Sequence, residues 1–222
     1  ERKKILRMLL FADVEAGHTD TLLRDSRLQR VPAYVDVIRE GETADFLHVV
    51  VDGQVEVFST YRDRETTVAV LGPGHSFFVA AVILDKVCLQ SVRTLSPARV
   101  LLIPAEAVRQ LFYAEDAFAR AIALELACAY RGIMKEFKNQ KLRSTIERLA
   151  NFLLTHYEQS GAKGSFTLPF EKKVLASRLG MAPEVLSRSF VALVPYSVRV
   201  RGAAVVIHDV DALRNLAKPS ST

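Results

Sequence analysis

The sequence predicts an α+β fold: an N-terminal antiparallel β-roll of the jelly-roll type, a long helix and a C-terminal winged helix-turn-helix. Three observations lead to this prediction. Short β-branched runs separated by turn formers fill the first half, an unbroken helical stretch follows, and two short helical patterns flank Gly180 before a basic hairpin. The predicted divisions are 1–114 for the roll, 115–138 for the long helix and 139–222 for the last domain.

Charge is distributed unevenly along the 222 residues. Residues 139–222 contain twelve Lys and Arg against six Asp and Glu, a balance of +6, whereas the preceding residues have a balance of −1. A basic excess confined to one domain is typical of a domain that binds a polyanion. No apolar run reaches bilayer-spanning length, so we expect a cytoplasmic protein without membrane association.

The first half of the chain favours strands over helices. Two short helices are predicted at its start, over 1–11 and 19–26. Period-two β-branched runs then follow at 35–37, 46–51, 55–58, 68–70, 87–92 and 100–103. Turn formers separate them at regular intervals, which favours a small antiparallel barrel or jelly roll.

The stretch 115–138 contains no proline and a single glycine, Gly132, so it predicts a helix of about seven turns. Apolar residues recur along it in steps of three or four. They are Phe118, Ile122, Leu126, Ala129, Ile133 and Phe137. A stripe this narrow is typical of a coiled-coil seam, and we expect it to join two copies of the chain in a homodimer.

The segment 170–193 has the pattern of two short helices around a tight turn. Val174, Leu175 and Leu179 form the inner face of the first helix, and Gly180 supplies the positive φ of the turn. The second helix begins near Pro183 and has apolar residues on one side. Its outer residues are Glu184, Ser187 and Arg188. This is the pattern of a helix-turn-helix that contacts double-stranded DNA, although such pairs also occur as ordinary packing.

A hairpin follows the helix pair. The β-branched runs 198–200 and 203–207 flank Arg201-Gly202, which places Arg199 and Arg201 at its tip. Together with Lys172 and Lys173, these arginines are the predicted phosphate contacts. A solvated hairpin with incidental arginines is the alternative interpretation.

Three segments of the first half resemble successive landmarks of the cyclic-nucleotide-binding roll: 38–42 (IREGE), 47–57 (LHVVVDGQVEV) and 71–77 (LGPGHSF). With the long helix and the winged helix, the chain resembles the Crp/Fnr superfamily of transcription regulators over nearly its whole length. The resemblance implies a dimeric, non-enzymatic DNA-binding regulator that works with RNA polymerase. A nucleotide-binding regulatory module of an enzyme or channel is the remote alternative, because nothing in the chain is available to be regulated.

The chain departs from the cyclic-AMP-binding members at the ligand contacts. Those members have a Glu and an Arg in the segment that aligns with 77–90, and a Thr-Ser pair late in the long helix. Here no Glu follows the phenylalanines, Cys88 or Leu89 stands in place of the Arg, and Ile133 and Met134 replace the Thr-Ser pair. We therefore expect that the chain does not bind cyclic AMP. The apolar segment 77–90 either lines a pocket or is filled by its own side chains.

Cysteine content limits the possible signals. Cys88 and Cys128 are too few for the iron–sulfur cluster of the oxygen-sensing members. The resemblance is closest to the cluster-free regulators of nitrate respiration, which sense nitric oxide through haem. Of the histidines at 18, 48, 75, 156 and 208, His75 is the first candidate for an axial haem ligand. The predicted effector pocket comprises His75, Phe77, Phe78, Val92, Ile133 and Met134.

Two other modes of control remain open. One is a regulator that needs no effector and is controlled by its own abundance. The other is a thiol switch at Cys88, whose pKa the nearby Lys86 could depress. In that interpretation Cys128 is an inert small hydrophobe within its helix.

The second helix of the pair matches the Glu-x-x-Ser-Arg pattern of the fumarate–nitrate branch. The resemblance implies TTGAT half-sites in an inverted repeat. Arg188 can bond the O6 and N7 atoms of guanine, Glu184 can accept from the N4 amino group of cytosine, and Ser187 can reach an adjacent base. No Gly-x-Ser-x-Gly elbow, P-loop, His-Glu-x-x-His or Cys-x-x-Cys motif occurs, so nothing in the sequence supports an enzyme.

Overall fold

The computed structural model describes residues 10–11, 14–161 and 164–218, and the chain divides into two compact units, 1–132 and 133–222. Each unit has its own hydrophobic core. The predicted helix over 1–11 lies outside the described residues except for its last two, which form a turn.

The first unit consists mainly of short antiparallel strands. Its elements in chain order are α1 (Ala16–Arg24), β1 (Arg27–Val31), β2 (Asp36–Ile38), β3 (Phe46–Asp52), β4 (Val55–Tyr61), β5 (Arg64–Leu71), β6 (Ser76–Phe77), α2 (Val79–Leu84), β7 (Ser91–Thr94), β8 (Ala98–Pro104) and α3 (Ala105–Ala114). The strands form two four-stranded antiparallel sheets, in the orders β1-β8-β3-β6 and β2-β7-β4-β5. This arrangement confirms the predicted antiparallel β fold.

A glycine fixes the turn between β3 and β4. Gly53 has φ of +81°, and a Cβ atom there would overlap the backbone of Pro97 and Ala98. Any other residue would therefore have to push β3 away from the start of β8. The Asp52-Gly53 pair that predicts a turn in the sequence is thus required by packing as well as by backbone conformation.

The segment 79–92 differs from the prediction of one strand over 87–92. Residues 79–84 form helix α2, which Phe78 and Asp85 flank in left-handed conformations. Val87 makes only an isolated bridge to Thr43, and the strand begins at Ser91. The run 77–84 is apolar without alternation, so a helix can bury it while a two-faced strand cannot.

Helix α4 (Asp116–Leu142) joins the two units. It extends four residues beyond the predicted end at 138. No glycine or proline interrupts 133–143, and the break comes at Ser144. Ser144 and Glu147 form a reciprocal capping box that starts the next helix.

The second unit is a helical core with a small sheet. Its further elements are α5 (Thr145–Gln159), β9 (Ser165–Thr167), α6 (Lys172–Arg178), α7 (Pro183–Ala192), a short 3₁₀ helix (Val194–Tyr196), β10 (Val198–Arg201), β11 (Ala204–Ile207) and α8 (Val210–Ala217). The antiparallel sheet has the order β10-β11-β9. A helix pair followed by a hairpin confirms the predicted winged helix-turn-helix.

Among the described residues, no helix is both long enough and apolar enough to cross a membrane.

Candidate functional site

The turn between α6 and α7 holds the two helices in a fixed geometry. Gly180 has φ of +62°, its N–H donates to the Ser177 carbonyl at 2.9 Å, and the Met181 N–H donates to the Ala176 carbonyl at 3.0 Å. Pro183 begins α7, where a missing N–H costs no hydrogen bond. Helix α7 therefore starts immediately after the turn.

Helix α7 has one buried and one exposed face. Leu186 and Phe190 pack into the core of the second unit. Glu184, Ser187 and Arg188 are exposed on the opposite face. Their side chains make no hydrogen bond or ion pair with any other described residue, so their polar atoms are available to a ligand. The structure thus brings together the three predicted base-contacting residues.

The predicted phosphate contacts are also exposed, with one difference among them. Arg199 and Arg201 are two residues apart on β10 and so lie on one side of the hairpin. Lys173 is exposed at the start of α6. The Lys172 ammonium lies 5.3 Å from the centre of the Phe190 ring, so this lysine also packs against α7.

Sequence reasoning did not identify the side chains that hold the turn. The Arg148 guanidinium donates to the Leu179 carbonyl at 2.9 Å and to the Arg143 carbonyl at 2.8 Å. The Gln140 amide donates to the Arg178 carbonyl at 3.4 Å. The partners are backbone carbonyls, which leave no pattern in a sequence. The end of α4 and the start of α5 are therefore hydrogen-bonded to the helix-turn-helix.

Arg178 is a second basic residue of this region that packs within the unit. Its guanidinium lies 5.8 Å from the Phe152 ring centre and 5.7 Å from that of Phe170. Burial lowers the pKa of this guanidinium, and the negative charge of Glu136 opposes that effect. The guanidinium packs against both aromatic rings, so Arg178 stabilises the core beneath the exposed basic residues.

Of the predicted effector residues, four belong to the first unit and two to the second. His75 is exposed, with its Nδ1 atom 3.2 Å from the Gly72 carbonyl oxygen. Phe77 and Val92 are buried in the first core, and Phe78 packs against it. Ile133 and Met134 belong to the second unit. In the first unit, the apolar residues of the predicted pocket are therefore packed into the core.

His75 does not fit the role of a haem ligand. An axial ligand must present a ring nitrogen to an apolar space large enough for the macrocycle. The His75 ring lies at the surface, on the turn before β6, and the apolar residues that follow it are packed together. The prediction combined the His75 ring nitrogen with an apolar pocket. In the structure the ring is at the surface and the apolar residues are packed in the core.

His48 is the buried histidine of the first unit. Its ring is stacked on Phe77 at 4.8 Å between ring centres, and only 4% of the residue is exposed. Its Nδ1 atom has no hydrogen-bond partner among the described residues. Burial lowers the pKa of His48 to about 4, although a hydrogen bond with the Phe46 backbone opposes the change. The ring is therefore neutral at pH 7.

Cys88 does not have the environment of a reactive thiol. It is 1% exposed and lies in an irregular segment, not on a strand. Burial, together with the negative charges of Glu42 and Asp45, raises the pKa of its thiol to about 11. The prediction that Lys86 depresses this pKa is wrong, because desolvation and two carboxylates outweigh one exposed ammonium. Cys128, which was predicted to be an inert small hydrophobe within its helix, is exposed on α4.

A surface cleft of about 490 Å³ lies elsewhere on the first unit. The start of α3 and the segments 43–46 and 85–87 line it, together with Asp25 and Arg27. Arg109 donates to both Asp85 and Glu106, so these charges pair with one another. None of the predicted effector residues lines this cleft.

The predicted dimer seam divides into two parts. Phe118 and Ile122 are fully buried in the first core, and Leu126 packs against it. In contrast, Ala129, Ile133 and Phe137 are exposed. The prediction of a continuous six-residue seam is therefore corrected, because its first half is covered by the same chain.

Within the first unit, a hydrogen bond joins α4 to strand β6. The Ser76 hydroxyl donates to the Glu125 carboxylate at 2.7 Å, and the Ser76 N–H approaches the same oxygen at 3.4 Å. Strand β6, which precedes α2, is therefore hydrogen-bonded to the helix that enters the second unit.

Solved structures of similar fold cover nearly the whole chain. A candidate cAMP-binding regulatory protein from Silicibacter pomeroyi DSS-3 is 26% identical, with a TM-score of 0.63 and 98% of each chain covered. FixK2 from Bradyrhizobium japonicum is 20% identical, with a TM-score of 0.78 over 88% of this chain and 99% of its own. DNR from Pseudomonas aeruginosa is 17% identical, with a TM-score of 0.52 over 97% and 96%. No match was found among curated proteins.

Two family models match the chain in the order of its two folded parts. The cyclic nucleotide-binding domain matches residues 28–115, and the Crp-like helix-turn-helix domain matches residues 147–216. Together they account for more than two thirds of the sequence, and the second contains the whole α6–α7 pair. A roll of the first type followed by a helix-turn-helix of the second is the domain order of one family. The chain belongs to the Crp/Fnr family of transcription regulators.

Proposed function

We propose that a dimer of this chain regulates transcription by binding TTGAT-type inverted repeats, under the control of a signal other than a cyclic nucleotide. The observation that supports this most is the exposed face of α7. Glu184, Ser187 and Arg188 lie there without partners among the described residues, in the first two turns after a fixed turn. The N-terminal residues of a recognition helix are those that meet base edges in the major groove.

Each of the three side chains suits a particular base edge. Arg188 can donate two parallel hydrogen bonds to O6 and N7 of guanine. Glu184 can accept from the N4 amino group of the cytosine in a neighbouring pair, and Ser187 can reach the next base. Arg199 and Arg201 of the hairpin, with Lys172 and Lys173 of α6, supply positive charge for the phosphates.

An inverted repeat requires a two-fold dimer, and α4 offers a surface for one. Exposed residues recur along it in steps of four, three, four and three: Ala123, Ala127, Tyr130, Met134 and Phe137. This heptad stripe lies on a different face of α4 from the buried Phe118 and Ile122. We propose this stripe as the contact between two copies, and RNA polymerase as the partner of the DNA-bound dimer.

The proposed signal is not a cyclic nucleotide, because the residues that bind the phosphate in cyclic-AMP-binding relatives are replaced here. Cys88 is buried and Leu89 points to solvent where cyclic-AMP-binding relatives have the phosphate-binding Arg. The nearby Lys86 is exposed, and a single flexible ammonium does not replace a bidentate guanidinium. Haem with nitric oxide has no support from the position of His75, so it enters the experiment as a tested condition.

The experiment is fluorescence anisotropy of a labelled TTGAT-N4-ATCAA duplex and a scrambled duplex of equal composition at one salt concentration. The protein is titrated alone, with cyclic AMP, and anaerobically with haem and nitric oxide. We expect binding to the specific duplex at least about tenfold tighter than to the scrambled one, with no change on adding cyclic AMP. Equal affinity for both duplexes under all three conditions would refute the DNA specificity. Specificity that appears only with cyclic AMP would refute the proposed class of signal.

A further inference from the structure

An exposed valine shares the base-contacting face of α7. Val191 is 70% exposed, whereas Leu186 and Phe190 of the same helix are buried. It follows Glu184 by seven residues, Ser187 by four and Arg188 by three, which places all four on one side of the helix. In helical projection, Val191 falls between Ser187 and Glu184.

Helix propensity does not favour a valine at this exposed position. A β-branched residue loses side-chain entropy in a helix and so has lower helix propensity than Lys, Glu, Gln or Ala. Its apolar surface gains nothing from packing here, because the buried side of α7 is formed by residues such as Leu186 and Phe190. A surface that bound DNA only through phosphates would favour a basic residue.

We propose that Val191 contacts the C5-methyl group of a thymine in the base pair next to the guanine that Arg188 contacts. The proposal rests on the proposed function and adds a fourth, apolar contact to the base-reading set. Among base edges in the major groove, the thymine methyl is the group that an aliphatic side chain recognises.

Distances along the helix agree with an adjacent base pair. Val191 lies three residues beyond Arg188, or about 4.5 Å along the axis at about 1.5 Å per residue. Successive base pairs are about 3.4 Å apart. In a TTGAT half-site, both neighbours of the guanine are A·T pairs, so each of them presents a thymine methyl in the major groove.

The test removes the methyl group from the DNA and the valine from the protein. Each of the two thymines beside the guanine is replaced separately by deoxyuridine, which lacks only the methyl group. Wild type and Val191→Ala are titrated against these duplexes and the parent duplex at one salt concentration. Val194→Ala is the matched control, because Val194 is also exposed but lies in the 3₁₀ helix after α7.

For the wild type, we expect deoxyuridine at one of the two positions to weaken binding about fourfold when one half-site is changed, and about fifteenfold when both are. The fourfold figure corresponds to burial of one methyl group. The Val194→Ala variant should show the same losses. With Val191→Ala, the parent and deoxyuridine duplexes should bind equally, because the protein no longer contacts the methyl group.

Two results would overturn the proposal. One is a wild type whose affinity is insensitive to deoxyuridine at both positions. The other is a Val191→Ala variant whose affinity falls as much as that of the wild type when deoxyuridine replaces thymine. That result would mean that another residue contacts the methyl group. Failure of the proposed function is distinct, because the wild type would then not distinguish the parent duplex from the scrambled one.

Discussion

Acidification should destabilise the first unit through His48, the neutral histidine buried against Phe77. The unfolded chain binds a proton there near pH 6.5, whereas the folded chain does so near pH 4. Between these values the unfolded state holds more protons, so the free energy of unfolding falls as the pH falls. From pH 7 to pH 4.5, this residue should lower the free energy of unfolding by on the order of 2 kcal/mol, because each pKa unit corresponds to about 1.4 kcal/mol. Below pH 4 its contribution stops growing.

Comparison with a variant isolates this effect from the other groups that titrate in the same range. Unfolding by urea is measured at pH 7 and pH 4.5. Hydrogen exchange of the β3 amides serves as the probe, because it reports on the first unit. His48→Leu replaces the ring with an apolar side chain that does not titrate, so its loss of stability should be smaller than that of the wild type by on the order of 2 kcal/mol. His75→Leu, at an exposed position, should lose as much as the wild type.

A direct measurement completes the test. The His48 ring resonances, followed by NMR as a function of pH, should titrate near pH 4. Equal losses of stability in the wild type and His48→Leu, or titration of His48 near pH 6.5, would refute the argument that burial keeps this ring neutral.

Three further predictions concern DNA, thiols and assembly. Arg188→Ala should weaken binding to the TTGAT duplex by about 1–3 kcal/mol and relax the preference for guanine in the anisotropy assay; an equal loss on the scrambled duplex would contradict base contact. A disulfide reagent at pH 8 should modify Cys128 rapidly and Cys88 only after unfolding, because Cys88 is buried and its pKa is raised to about 11; two rapidly modified thiols would contradict this. Tyr130→Glu should dissociate the dimer in sedimentation equilibrium, since it puts two carboxylates into an apolar seam, whereas Lys135→Glu, off the stripe, should not.

The helix-turn-helix could be predicted in detail because its signals are local. Leu186 and Phe190 repeat at helical spacing, Gly180 marks the turn, and Pro183 marks the next helix. The residues left over on the outer face are exposed in the structure, as the periodicity requires. Val191 lies on the same face, but it was not predicted as a base contact because only polar residues were considered.

Long-range features could not be predicted in the same way. The apolar stripe of α4 was visible, yet periodicity does not tell which chain covers it, and Phe118 and Ile122 are covered by the first unit. The raised pKa of Cys88 depends on neighbours more than forty residues away, Glu42 and Asp45. The hydrogen bonds of Arg148 go to backbone carbonyls, so no side-chain pattern reveals them.

The hydrogen bond of Gln140 joins the last turn of α4 to the end of α6, and those of Arg148 join the start of α5 to the turn before α7. Helix α4 has 27 residues and is about 40 Å long. A tilt of about five degrees about one end moves the other by about 3.5 Å, close to the spacing of one base pair. Because Gln140 on the last turn of α4 donates to the Arg178 carbonyl, a displacement of that end of the helix acts directly on the helix-turn-helix.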